Sequence, residues 1–312
     1  MNNIWKSGIY GLIIGDATGV PVEFSTREER EKNPIRDMTG YGTYNQPEGT
    51  WSDDSSMALA TLASIKDKGK IDYKDIMDRF HDWCMYGEYT PFGEVFDIGI
   101  ATSRAVMKYS NGAGPLESGG KTEWDNGNGS LMRILPVCLY LFEQQKSLNI
   151  SDDEVIDMVH NCSALTHAHI RSKLACGIYY FLVRAVLIKG GELTERLQIG
   201  IDNAFEYYGK NNKNELGNYN RLISLSEFKN IPEELIKSTG YVVYTLEAAI
   251  WCLINTSSYK EAVLKAVNLG DDTDTIAAVT GGLAGLYYTY DEIPASWKAK
   301  VQKKDWIDSL LK

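Results

Sequence analysis

A chain of 312 residues, 44% hydrophobic and 24% charged, is long enough to bury a substantial core and has the composition of an ordinary folded protein. Its formal net charge of -10 argues against a broad basic face, and so against nucleic acid or an anionic membrane as a general partner. A small anionic ligand, which needs only a few local donors, stays open.

Five cysteines, Cys84, Cys138, Cys162, Cys176 and Cys252, form no CxxC pair and sit mostly among apolar neighbours. That is the pattern of reduced, buried thiols in a cytoplasmic protein. The apolar run at 9–14 has only Lys6 ahead of it as a basic residue and is interrupted by Asp16, so it reads as part of a buried helix and not as a leader. No run of about 18 apolar residues predicts a membrane span.

In chain order, residues 4–19 read as a buried helix whose small residues (Gly8, Gly11, Gly15, Ala17, Gly19) allow close packing, ended by Pro21. Residues 25–49 form an irregular connection. Ser52 or Asp53 caps a helix that runs to Ile65. Residues 72–86 are amphipathic, with Ile76, Phe80, Trp83 and Cys84 on one stripe, and 94–109 give a further helix. Residues 111–130 are Gly-rich. Leu131 to Phe142 resumes a helical pattern with Pro136 as a kink. A short helix at 151–161 opens on Ser-Asp-Asp-Glu, a good cap with an acidic first turn. Helices follow at about 170–188 and 192–207, then an Asn/Lys-rich loop at 209–220, then helices at 241–255, 259–268 and 275–289. Period-two alternation is scarce and no linker separates two cores, so the expectation is an all-α protein with one domain over 1–312.

Two acidic stretches, far apart in sequence, resemble each other. Trp51-Ser52-Asp53-Asp54-Ser55-Ser56 runs into an apolar helix, and so does Gly270-Asp271-Asp272-Thr273-Asp274-Thr275. An Asp or Ser at a helix start caps free N–H groups, which explains either cluster taken alone. Each nevertheless holds more carboxylates than capping uses, beside hydroxyl oxygens, on a helix apolar enough to be buried. Like charges carried inward repel one another and are costly to desolvate unless a cation neutralises them. The set Ser52, Asp53, Asp54, Asp272, Asp274 and Thr275 is all oxygen, which suits Mg²⁺ or Mn²⁺ and not zinc. From spacing alone, both readings stand.

Several stretches taken together resemble the ADP-ribosylglycohydrolase family, which includes the dinitrogenase-reductase-activating glycohydrolases. They are Gly15-Asp16-Ala17-Thr18-Gly19 with Glu23, the cluster at 51–55, Gly127-Asn128-Gly129-Ser130-Leu131-Met132-Arg133, Thr166-His167, and 269–275. With their flanking helices they span 11–289. The resemblance implies an all-helical orthogonal bundle with two Mg²⁺ or Mn²⁺ ions, Ser52, Asp53 and Asp54 mainly holding one and Asp272, Asp274 and Thr275 mainly the other. Ser55 stands where Thr is common, and Asp271 where Gly is frequent.

The resemblance also implies that Glu23, otherwise a plain loop carboxylate, lies over the metals, and that Asp54 or Glu23 takes the proton of the attacking water. The Gly127, Asn128, Gly129, Ser130 loop, otherwise a simple turn, would serve the substrate phosphates, with His167 beside the adenosine ribose or phosphate. Arg133 is a phosphate partner or a structural residue. His81, His160 and His169 read as structural, and Trp51 as packing. The implied reaction is hydrolysis at C1″ of the distal ribose, freeing ADP-ribose from a protein side chain or small ADP-ribosyl substrate, with arginine as the default linkage. Two other readings are a non-catalytic ADP-ribose binder and a metal-dependent hydrolase of another nucleotide or phosphoester.

Overall fold

A computed structural model describes residues 3–188 and 190–312. Eleven of its helices have nine residues or more: α1 (Ile4–Gly19), α2 (Asp53–Lys68), α3 (Tyr73–Tyr86), α4 (Ile100–Ser110), α5 (Leu135–Leu148), α6 (Asp152–Ala164), α7 (Ile170–Leu187), α8 (Leu193–Tyr208), α9 (Val242–Ile254), α10 (Tyr259–Val267) and α11 (Thr273–Glu292). Among the described residues, β-pairing is confined to three isolated bridges, so the protein is all-α.

The local sequence sets most helix ends. Asp72 accepts from the Asp75 N–H to start α3, and Gly87, at φ 70°, ends it. Ser151 and Glu154 form a reciprocal capping box on α6. Gly69, at φ 65°, closes α2.

The centre of the molecule is the packing of α1 against α11. The two backbones approach so closely that a Cβ on Gly11 would lie 2.3 Å from the Gly281 carbonyl oxygen, and one on Gly15 would lie 2.0 Å from that of Ala277. Two hydroxyls tie the end and the middle of α1 to this assembly: Thr273 donates to Gly19 O (2.8 Å) and Tyr259 to Gly11 O (2.8 Å). The consequence is topological. The C-terminal end of α1, followed by Glu23, is held against the N-terminal end of α11, which carries Asp272 and Asp274.

Three expectations change. Residues 94–99 are an extended loop and the helix starts only at Ile100; Gly99, with extended backbone, precedes it. Pro136 lies in the first turn of α5, where its missing N–H costs nothing, so it starts the helix and does not kink it. The segment 209–220, expected to be a mobile loop, carries a short helix at Lys213–Leu216 and enters a 3-10 turn at Gly217–Leu222, with Leu216, Tyr219 and, just beyond the segment, Leu222 buried in the core. All five cysteines are unpaired, and four are buried. No helix among the described residues is long and apolar enough to cross a membrane.

His160 fills a structural position with a measurable consequence. Its ring stacks on Tyr208 (centroids 5.7 Å, planes 11° apart) with Nε2 2.8 Å from the Tyr208 hydroxyl. Burial, assisted by Lys173, pushes its pKa down to about 4. A depressed imidazole stabilises the fold above its unfolded pKa of about 6.5, and that contribution, about 3 kcal/mol, is lost as pH falls toward 4. Raised carboxylate pKa values elsewhere act with the opposite sign over the same window. The His160 contribution is therefore the difference between wild type and His160→Gln in urea titrations from pH 7 to 4. The gap in unfolding free energy should narrow with acid, and a constant gap would refute the assignment.

Candidate active site and metal centre

The site forms where three chain segments meet. Asp16, near the end of α1, is fully buried and anchors the start of α2. Its carboxylate accepts from the N–H groups of Ser52 (3.0 Å) and Ser55 (3.0 Å) and from both serine hydroxyls. Ser52 is the N-cap of α2, its Oγ accepting from the Asp54 N–H. The loop after α1 is in turn laced to the loop before α11. Phe24 N–H donates to Asp271 O (2.7 Å), Asp271 N–H to Ser25 O (2.8 Å), and Asp272 N–H to Ser238 O (3.0 Å). The Arg27 guanidinium clamps these segments, donating to Leu269 O (2.9 Å), Ser238 Oγ (3.2 Å) and the carbonyls of Glu233 and Ile236. Asp271 adopts φ 58°, a conformation that favours glycine, and its carboxylate accepts from Ser238 Oγ at 3.2 Å. That accounts for a residue other than Gly holding this left-handed position.

Seven carboxylates crowd this junction. Oxygens of Asp16, Asp54 and Asp274 lie within 4.8 Å of one another, as do those of Glu23, Asp272 and Asp274. Asp274 belongs to both groups. Asp53 lines the adjoining cavity, as do Glu23, Asp97 and Asp272. Donors are too few for this charge. Ser52 has one hydroxyl proton for both Asp16 Oδ1 (3.0 Å) and Asp54 Oδ2 (3.1 Å). Thr275 donates to Asp54 Oδ2 (3.2 Å), and Asn128 Nδ2 to Asp272 Oδ2 (2.7 Å). Glu23 Oε2, Asp54 Oδ1 and Asp274 Oδ2 are buried with no hydrogen-bond partner.

The acids respond as buried like charges must. Burial, then repulsion from Asp97, pushes Glu23 up to about 9. Burial raises Asp53, Asp54 and Asp274 well above the carboxylate range, with neighbouring acids adding to it. Asp16 and Asp97 are each pushed up to about 6, chiefly by burial.

Three orphaned carboxylate oxygens, in an all-oxygen donor set, fit hard divalent cations. Asp16 is geometrically near enough to be a ligand, but donors already occupy both its oxygens. It holds the turn that carries Ser52, Asp53 and Asp54 in place.

A cavity of about 420 Å³ opens from this cluster. Glu23, Asp53, Asp97, Asp272 and Thr275 lie on its wall together with Gly127, Asn128, Gly129, His167 and two exposed aromatics, Phe24 and Trp124. Asn128 ties the glycine loop to the acidic cluster, since its side-chain amide donates to Asp272; it also donates to the buried Thr245 Oγ1 (2.9 Å). Ser130 sits behind the wall, fully buried, accepting from Ser163 Oγ at 3.0 Å. The chain after this loop turns before α5 begins at Leu135, so the loop does not open directly onto a helix N-terminus. His169 caps α7 and His81 lies on α3. Trp51 is fully buried, its indole N–H donating to Tyr89 O. A larger cavity of about 830 Å³ lies among Arg30, Lys229, Glu233 and Lys265, away from the acidic junction, and two of its charged residues pair with each other (Lys265–Glu233, 3.2 Å).

Sequence reasoning assigned no role to three residues of the site. Asp16 carried a signal: a lone acid between glycines in an otherwise apolar helix. Asp97, left-handed at φ 51°, lies in the loop that reads as helix. Trp124, 95% exposed on a one-turn 3-10 segment, carries no periodic signal at all.

Similarity to known proteins agrees with this architecture. The model of the family described as ADP-ribosylglycohydrolase matches residues 5–312. The chain is 33% identical over 308 residues to the ADP-ribosylarginine hydrolase Tri1 of Serratia proteamaculans, covering 98% of this chain and 77% of that one. It is 28% identical over 296 residues to the ADP-ribosyl-[dinitrogen reductase] glycohydrolase of Rhodospirillum rubrum, covering 94% and 88%. A solved structure titled ADP-ribosylglycohydrolase-related protein complex superposes with a TM-score of 0.78 at 29% identity, over 99% of this chain and 96% of that one.

Proposed function

The chain belongs to the ADP-ribosylglycohydrolase family, hydrolases that release ADP-ribose, and from that premise we propose that it frees arginine side chains of ADP-ribose with two Mg²⁺ or Mn²⁺ ions bound at the acidic junction. The observation that carries the proposal is the set of three buried, unpartnered carboxylate oxygens, on Glu23, Asp54 and Asp274, in an acidic cluster whose Glu23, Asp53 and Asp272 line a cavity.

Ser52, Asp53, Asp54, Asp272, Asp274 and Thr275 would hold the cations, with Glu23 over them. When bound, divalent cations supply charge neutralisation, polarisation of ribose hydroxyls and a lowered pKa for water. Asp16 fixes the first turn of α2, and Asn128 fixes Asp272, so the acids are oriented before substrate arrives. Glu23, the acid with a free oxygen on the cavity wall, would be deprotonated once cations offset the charge of its neighbours and would then take the proton of the attacking water, with Asp54 the second candidate. Water adds its oxygen to C1″ as the C–N bond breaks, and the departing guanidine takes the proton. The flanking acids stabilise positive charge building on the sugar. An acidic mouth formed by Glu23 and Asp97 favours a cationic leaving group such as guanidinium over a neutral hydroxyl.

At the other end of the cavity, Gly127, Gly129 and His167 would receive the diphosphate and proximal ribose. Trp124 is the exposed aromatic available for adenine. Base stacking on an aromatic contributes about 1–3 kcal/mol. Trp124→Ala should therefore raise KM by about tenfold to a hundredfold with little change in kcat.

The experiment is release of ADP-ribose from ADP-ribosylarginine, ADP-ribosylserine and a simple phosphoester, each with Mg²⁺ or Mn²⁺. Preference for the arginine conjugate supports the proposal. Phosphoester turnover alone, or ADP-ribose binding with no turnover of any conjugate, overturns it.

A further inference from the structure

Arg133 is a charge the chemistry above does not use. It is fully buried on the chain just after the Gly127–Gly129 loop, with no carboxylate partner. Its guanidinium lies over the Phe80 ring (4.6 Å to the centroid), and Nη2 donates to Cys162 O (3.1 Å) and Thr166 Oγ1 (2.8 Å). Its Nε and Nη1 have no partner. Burying an unpaired guanidinium is costly, so its orientation calls for a reason beyond filling space.

A guanidinium can only donate. Thr166 Oγ1 therefore accepts from Arg133 and must spend its own proton elsewhere. His167 Nδ1, 2.8 Å away, is the acceptor in reach. Had Nδ1 carried a proton, the threonine oxygen would receive two donors and its buried hydroxyl proton would be stranded, at about 1–3 kcal/mol. An imidazolium would meet the same obstacle and would also face the guanidinium; burial first, and Arg133 second, push His167 down to about 3. The other edge of the ring faces the loop glycines. A Cβ on Gly129 would lie 2.8 Å from His167 Cε1, and one on Gly127 would lie 3.4 Å from Nε2.

We propose that Arg133 is a positioning residue of the substrate cavity: acting through Thr166, it fixes His167 as the Nε2–H tautomer, so that the ring presents a donor to a phosphate or ribose oxygen of the ligand. The opposite tautomer would turn a lone pair toward that oxygen and repel it. The ligand half of this inference rests on the reading of the cavity given under Proposed function.

The test is a ¹⁵N spectrum of the full chain labelled at histidine, with His167 assigned from the His167→Gln spectrum. Protonated and bare ring nitrogens resonate in well-separated regions. Wild type near neutral pH should show a neutral ring protonated at Nε2 alone. Thr166→Val and Arg133→Met should release it to a mixture of tautomers, and Thr166→Ser should restore the wild-type pattern. A proton on Nδ1 in wild type, or an unchanged tautomer in Thr166→Val, overturns the relay. Should Arg133→Met fail to fold, the Thr166 pair still decides it. Titration with ADP-ribose then tests the ligand half. The Nε2 signal should shift on binding, and Thr166→Val should bind about tenfold more weakly, the effect of one hydrogen bond. A correct tautomer with no response to ADP-ribose leaves the relay standing and overturns the cavity reading.

Discussion

Asp274→Asn should lose about a thousandfold or more in turnover and yet, without metal, melt higher than the wild type. Asp274 is the acid common to both carboxylate groups, and it is fully buried. Its Oδ1 accepts only from the neighbouring Thr275 N–H (2.8 Å), and its Oδ2 accepts from nothing. Two like charges no more than 4.8 Å apart repel by about 3 kcal/mol or more at an effective dielectric of about 20, and Asp274 meets that repulsion from more than one partner. An asparagine removes the charge and adds a donor that Glu23, Asp54 or Asp272 can accept from. In the metal-free protein the change should stabilise by about 2 kcal/mol or more. The same change removes a carboxylate from the proposed cation site, and a thousandfold loss corresponds to about 4 kcal/mol of barrier. Adding Mn²⁺ should raise the wild-type Tm by mass action and leave that of the variant nearly unmoved. A variant that melts lower than metal-free wild type, or that keeps its turnover, would sink the claim that charge repulsion at this junction is what the cations relieve.

The acidic stretches at 52–54 and 272–275 were legible because their chemistry is local: too many carboxylates for a cap, beside hydroxyls, at the start of apolar helices. Helix ends with Ser, Asp or Gly signals were legible for the same reason, as at Asp72, Ser151 and Gly87. What the sequence hides is decided by tertiary contacts. Residues 94–99 carry a plausible helical pattern, yet they run as a loop along the cavity, where Asp97 takes a left-handed backbone and faces Glu23. The segment 209–220 is polar in composition, but two buried side chains, Leu216 and Tyr219, pin it to the core. Asn128 sits in a turn motif, and only the fold shows its amide oriented toward Asp272, 144 positions away. Asp16 is the intermediate case. An acid inside an apolar helix must have partners, but nothing in the sequence names Ser52 and Ser55 as those partners.

Gly15→Ala should destabilise the protein by about 3 kcal/mol or more and cripple the site in whatever remains folded. In an isolated helix the change would be favourable by about 1 kcal/mol, since alanine is the better helix former. Packing reverses the sign. The new methyl would lie 2.0 Å from the Ala277 carbonyl oxygen and 2.6 Å from its carbon, and both are backbone atoms of α11 that cannot swing aside. Relief requires α1 and α11 to move apart by about an ångström, in a core that does not compress. Gly15 directly precedes Asp16, which holds Ser52 and Ser55, while Ala277 follows Asp274 by one turn of the same helix. Separating the two helices therefore pulls the two halves of the acidic junction apart, and a misplacement of about 1 Å can cost about a hundredfold in rate. Gly8→Ala is the matched control on the same helix face. Its nearest contact is the flexible end of Leu286 at 3.0 Å, which can rotate, so a loss of about 1 kcal/mol or less is expected. The measurements are urea unfolding and Mn²⁺ calorimetry on both variants. If Gly15→Ala were as stable as Gly8→Ala and bound Mn²⁺ with wild-type affinity, close contact between α1 and α11 could not be what joins residues 52–54 to residues 272–275.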